Sequence, residues 1–129
     1  RRQGCAVVLD DFGAGYSSLN LLAELNPDLL KLDMSLVRGL HANMRKQLIV
    51  RCIVRMAEEL KIAVLAEGVE TLAESRVLQD MGIVLHQGYL YARPKAHELP
   101  TVNWESLDRT TGRDKRPSVS TWVSVALAA

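Results

Sequence analysis

The sequence predicts an α/β fold of four parallel βα units, and three observations carry this. Short apolar runs alternate with helical patterns along the chain, with no separate block of either. No two-residue hairpin turn joins any pair of the runs, so neighbouring strands must be linked by helical crossovers and run parallel. Each run also carries a polar group at or near its C-terminal part, the end at which α/β folds keep their chemistry.

The first strand spans about Ala6 to Asp10 and runs into Asp11-Phe12-Gly13-Ala14-Gly15. The two glycines suit a tight strand-to-helix turn and lack the spacing of a nucleotide-binding loop. Tyr16 to Leu25 reads as a helix, with Leu19, Leu22 and Ala23 on one face and Ser17 or Ser18 near its start. Asn26-Pro27-Asp28 breaks it. A second strand covers Leu29 to Leu36 and carries Lys31 and Asp33 among leucines. A long amphipathic helix follows from about Asn43 to Leu60. Its expected buried stripe is Leu48, Ile49, Cys52, Ile53, Met56, Ala57 and Leu60, with Arg45, Arg51, Arg55 and Glu59 opposite. Ile62 to Ala66 is the third strand and ends in Glu67-Gly68. Thr71-Leu72-Ala73-Glu74 has the form of a capping box and opens a helix through Leu78 that stops near Gly82. Ile83 to Tyr91 is the fourth strand, interrupted by His86-Gln87. A short helix is expected at Val102 to Leu107.

Composition narrows the function classes. Of 129 residues, 48% are hydrophobic and 24% charged, which excludes disorder and a membrane-embedded chain. A net charge of +1 gives no reason to expect a nucleic acid polymer or an acidic membrane as partner. No apolar run is long enough to span a bilayer. Cys5 and Cys52 match no metal or redox spacing and read as reduced thiols of a cytoplasmic protein. His41, His86 and His97 show no ligand spacing and read as surface or internally satisfied histidines. The chain starts at Arg1 and enters a strand almost at once, so a piece of a longer protein is expected. Residues 1–108 read as one domain. Residues 109–129 read as a polar linker and a tail without assigned role.

The polar groups in the strands are the candidate site: Asp10 and Asp11, Lys31 and Asp33, Glu67, and Gln87. Buried strands otherwise avoid charge, so four strands with the same departure point to a shared site. Two adjacent carboxylates repel each other unless a cation lies between them or one is protonated. Carboxylates favour hard cations such as Mg2+ or Mn2+, and a lysine beside them can orient a water or neutralise phosphate charge. The set fits a metal-assisted reaction on an anionic substrate.

Four blocks carry a resemblance. Asp10-Asp11-Phe12-Gly13-Ala14-Gly15-Tyr16-Ser17-Ser18-Leu19 resembles the central motif of EAL domains, the bacterial cyclic-di-GMP phosphodiesterases. Lys31-Leu32-Asp33, Ala66-Glu67-Gly68-Val69-Glu70-Thr71 and Gln87-Gly88-Tyr89-Leu90-Tyr91-Ala92-Arg93-Pro94 resemble three further blocks of the family, in order. Tyr91 stands where a phenylalanine is common.

The resemblance implies a TIM-type (β/α)8 barrel of roughly 250 residues, of which this chain supplies the C-terminal half. It implies two divalent cations, Mg2+ or Mn2+. Asp10 would bridge them, and Asp11 and Glu67 would bind the second. Glu67 would also position or deprotonate the attacking water. Lys31 would contact that water and the scissile phosphate, and Gln87 a guanine of the substrate. The product would be the linear dinucleotide. The Phe12 to Ser18 loop would couple metal binding to homodimerisation. The Glu-Ala-Leu motif that names the family does not occur in this sequence. The site is therefore expected to be incomplete and the fragment inactive alone, with the first half of the barrel, and a sensory domain, upstream in the parent protein. That parent is expected in the cytoplasm, with membrane anchoring through an N-terminal region as the alternative. A rival function is a catalytically inactive module of the same type that binds cyclic-di-GMP or a protein partner.

Overall fold

The computed structural model describes residues 5–15, 18–94 and 101–102. Among them, a four-stranded parallel sheet is ordered as in the chain: β1 (Val8–Phe12), β2 (Leu29–Leu32), β3 (Ala63–Ala66) and β4 (Leu85–His86). The helices are α1 (Ser18–Glu24), α2 (Met34–Val37), α3 (Met44–Glu59) and α4 (Leu72–Asp80), with a 3-10 turn at Leu40–Ala42. Alternating βα units in one parallel sheet are the architecture the sequence predicts. Tyr16, Ser17, most of the expected helix from Val102 to Leu107 and the tail from 109 to 129 lie outside the described residues.

One face of the sheet is roofed by helices. Leu9, Phe12, Leu30, Leu32 and Ala66 of the strands pack with Leu22 of α1, Val50, Ile53, Val54 and Ala57 of α3, and Leu78 of α4. The other face carries Val8, Leu29, Lys31 and Ala63. Val8 there is 47% exposed and Ala63 is also exposed. In a closed barrel this second face is the interior.

Local signals set the helix ends. The Asn43 side chain accepts from the Lys46 backbone N–H at 3.1 Å and starts α3. The Lys46 ammonium turns back and donates to the carbonyls of Ser35 and Arg38 at 2.6 and 2.7 Å, holding the segment after β2 against α3. The capping box at Thr71 is complete, with Glu74 Oε2 accepting from the Thr71 N–H at 3.0 Å and Thr71 Oγ1 from the Glu74 N–H at 3.2 Å.

Three expectations need correction. The second strand ends at Leu32, not Leu36. Asp33 caps α2 by accepting from the Ser35 N–H at 2.9 Å, and this local bond turns the chain out of the sheet. The fourth strand shrinks to Leu85–His86, because after Gln87 the backbone folds over Val69 and Leu90 N–H donates to the Val69 carbonyl at 3.0 Å. The buried stripe of α3 is Val50, Ile53, Val54 and Ala57. Leu48 is 64% exposed, and Ile49, Cys52 and Leu60 are also exposed. The 3.6 period allows two overlapping apolar stripes here, and the sheet buries the one through Val50, Ile53, Val54 and Ala57, with Met56 packed at its edge.

Candidate metal centre

The loops after the strands bring the polar groups together at one end of the sheet. Strict alternation would send Asp10 and Asp11 to opposite faces. The structure avoids this with an irregular register. Leu9 pairs with Leu30 and Phe12 with Leu32, so β1 holds one residue more than β2 over that stretch. Asp11 absorbs the extra residue at a φ of 52°, in the left-handed region, and its N–H donates to Asp10 Oδ1 at 3.1 Å. Phe12 thereby returns to the core, 3% exposed, while Asp10, Asp11 and Glu67 each present an oxygen within 4.8 Å of the others.

Lys31 lies among them. Its Nζ is 2.7 Å from Glu67 Oε1 and 2.9 Å from Asp10 Oδ1. β2 and β3 pair Lys31 with Leu65, and the Glu67 N–H donates to the Leu32 carbonyl at 3.1 Å, which fixes Glu67 just past its strand. Burial works against the Lys31 ammonium, but its bonds to Glu67 and Asp10 outweigh burial and raise its pKa above the ordinary lysine value. The same hydrogen bond from Lys31 holds the Asp10 carboxyl below the ordinary aspartate range, against a smaller opposing effect of burial. Lys31 and Asp10 are thus each held in the charged form, and the ammonium partly meets the negative charge beside it.

The glycine after Glu67 serves close approach. Gly68 has a φ of 67°, and a Cβ there would stand 2.6 Å from the Met34 Cβ of α2. Gln87 follows β4, with its N–H donating to the Ala66 carbonyl at 2.8 Å and its carbonyl accepting from Val69 N–H at 3.1 Å. Its side chain is exposed at the same end of the sheet. Asp33 does not join this cluster; its carboxylate caps α2, and the hydrogen bonds from Ser35 lower its pKa. The structure therefore places Asp10, Asp11, Lys31 and Glu67 in one group and Gln87 at the neighbouring strand end. Sequence reasoning missed the register irregularity, although two adjacent aspartates closing one strand are its signal.

The donor set fits a divalent cation. Three carboxylates are hard oxygen ligands, and their mutual distance suits shared coordination. Fold and cluster together define a parallel βα domain with an acidic, lysine-bridged centre at the C-terminal ends of its strands. The family model of the EAL domain matches residues 1–94, and the chain belongs to that family. The cyclic di-GMP phosphodiesterase PdeR of Escherichia coli is 45% identical over 102 residues, 79% of this chain and 15% of PdeR. Klebsiella pneumoniae BlrP1 in its calcium and cyclic-di-GMP complex superposes with a TM-score of 0.73 at 48% identity, over 79% of this chain and 26% of BlrP1. The cyclic-di-GMP-bound form of a standalone EAL protein from Vibrio cholerae gives a TM-score of 0.78 at 42% identity, over 82% of this chain and 45% of that protein. The chain thus spans less than half the length of each of these proteins. Among the described residues, no helix is long and apolar enough to cross a membrane.

Proposed function

We propose that this chain is one half of a cyclic-di-GMP phosphodiesterase barrel. The observation that carries the reading is the group Asp10, Asp11, Glu67 and Lys31 at the strand ends of an EAL-family sheet. Asp10, Asp11 and Glu67 would hold divalent cations, Mg2+ or Mn2+, which supply Lewis acidity toward a phosphoryl oxygen and lower the pKa of a water. Lys31 meets the negative charge of the scissile phosphate, since its ammonium stays protonated in this setting. Glu67 orients the water and accepts its proton. Gln87 offers an amide to a guanine edge, with both a donor and an acceptor. In the reaction the oxygen of water bonds to phosphorus, one phosphorus–ester oxygen bond breaks, the leaving oxygen takes up a proton, and the linear dinucleotide results. The protein works as a homodimer in the cytoplasm, and the strands that complete the barrel supply the rest of the cation ligands.

The test is hydrolysis of cyclic-di-GMP by the protein with a complete barrel, with Mg2+ or Mn2+, and Glu67→Ala as control. Metal-dependent turnover that Glu67→Ala abolishes is the expected result. Binding of cyclic-di-GMP without turnover would replace the enzyme with a non-catalytic sensing module.

A further inference from the structure

His86 takes no part in the chemistry above, yet it sits at the centre of a half-buried polar group. It is the last residue of β4 and pairs with Ala66, so its side chain points to the helix-covered face. Gln87, the next residue, is exposed. The His86 Nε2 lies 3.0 Å from the Ile83 carbonyl oxygen. A carbonyl only accepts, so Nε2 carries the proton, and in a neutral ring Nδ1 is then the acceptor. Burial lowers the His86 pKa, against a smaller opposing effect of the Ile83 carbonyl, so the neutral form dominates. Tyr91 Oη, 2.7 Å from Nδ1, must therefore be the donor to it. Ser75 Oγ of α4 is 3.0 Å from Tyr91 Oη and 3.3 Å from Nδ1, and its hydrogen is left to donate to the tyrosine oxygen.

These bonds close a ring around the turn that carries Gln87. His86 and Tyr91 are the two ends of that turn, and Ser75 ties both to α4. Inside the turn, Tyr91 N–H donates to the Gly88 carbonyl at 3.1 Å, and the backbone of Val69 occupies the place a Cβ on Gly88 would need. The turn is held at both ends by side chains and in the middle by contact, which leaves Gln87 little freedom to wander.

We propose that His86, with Tyr91 and Ser75, is a positioning residue that fixes Gln87 for the guanine of the substrate. The inference rests on the reading of Gln87 given under the proposed function. In the protein with a complete barrel, Tyr91→Phe removes one hydroxyl and keeps the ring. It should raise KM for cyclic-di-GMP about fivefold, the worth of one ordinary hydrogen bond, and leave kcat within about twofold. His86→Leu should do the same, and the double variant should be no worse than the single ones, because both break one clamp. An unchanged KM, or effects that simply add, would overturn the proposal; so would a loss of melting temperature alone, which marks a role in folding only. Two readouts need no substrate. Ring nitrogen NMR of the protein with a complete barrel should show the Nε2-protonated neutral tautomer, and amide exchange at Gln87 and Leu90 should quicken about tenfold in Tyr91→Phe. A Nδ1-protonated ring or unchanged exchange counts against the clamp. If the unsubstituted protein turns over no substrate, the enzyme reading falls, and these two measurements still decide the clamp.

Discussion

Asp11 occupies a backbone region that costs most L-residues about 1–2 kcal/mol and that aspartate and asparagine tolerate best. The cost is offset by placing a second carboxylate beside Asp10 and Glu67. In the protein with a complete barrel, Asp11→Asn should therefore keep the melting temperature within a few degrees and lose most of the proposed metal-dependent hydrolysis, whereas Asp11→Val should lose both, as read by thermal unfolding beside a hydrolysis assay. Lys31 gives a separate test. It supplies the positive charge between Asp10 and Glu67, so Lys31→Met leaves two carboxylates facing each other without it. The variant should melt lower in a chelator, by roughly 1–2 kcal/mol of stability, and regain more of that on adding Mn2+ than the unsubstituted chain does. An equal response to metal in both proteins would contradict this account of the cluster.

The elements show which local signals survive tertiary packing. Glu74 is buried, 4% exposed, and its carboxylate accepts from the N–H groups of Gly39, Glu70 and Thr71 at 2.8, 3.1 and 3.0 Å. Burial pushes its pKa up, but these bonds outweigh it and hold it below the ordinary 4.5. The unfolded chain then takes up a proton first, so this contribution is present above pH 4.5 and drains away as pH falls through the lower folded value. Glu74→Gln should flatten that acid limb in a denaturation series and cost about 1–3 kcal/mol at neutral pH. In α3, Ile53→Ala should cost about 2–4 kcal/mol, while Leu48→Glu should change stability by under about 0.5 kcal/mol, both measured in urea. The cap at Thr71 was legible because a cap is a contact between residues three apart in sequence. The end of β2 was not, because Leu29 to Leu36 is apolar enough for a strand and only the Asp33 side chain decides otherwise. The face of α3 was hidden for a related reason: Leu48 and Val50 are equally apolar, and only the sheet beneath chooses between them.

At the scale of the whole molecule, the carboxylates and lysine of the site could be picked out in the chain because charge inside apolar strands is costly. That parallel strands bring them to one end of the sheet was legible too; how Asp10 and Asp11 both face the site was not, since it depends on a register irregularity between strands about twenty residues apart. The sheet itself is open: among the described residues β1 and β4 are each paired on one side only, and the face that carries Val8, Leu29 and Ala63 leaves Val8 and Ala63 exposed, although Leu65 on it is buried. Unpaired edges and uncovered apolar faces favour association. Size-exclusion chromatography and sedimentation should find the 129-residue chain dimerised or aggregated, and a stable monomer with a cooperative melt would refute that. The extra residue in β1 carries one more consequence. Deleting any single residue between Leu9 and Phe12 would tidy the ladder with Leu30 and Leu32 and leave the core side chains where they are. The shortened protein should fold at least as well and do nothing. The site is written in how many residues lie between Leu9 and Phe12 as much as in which residues they are.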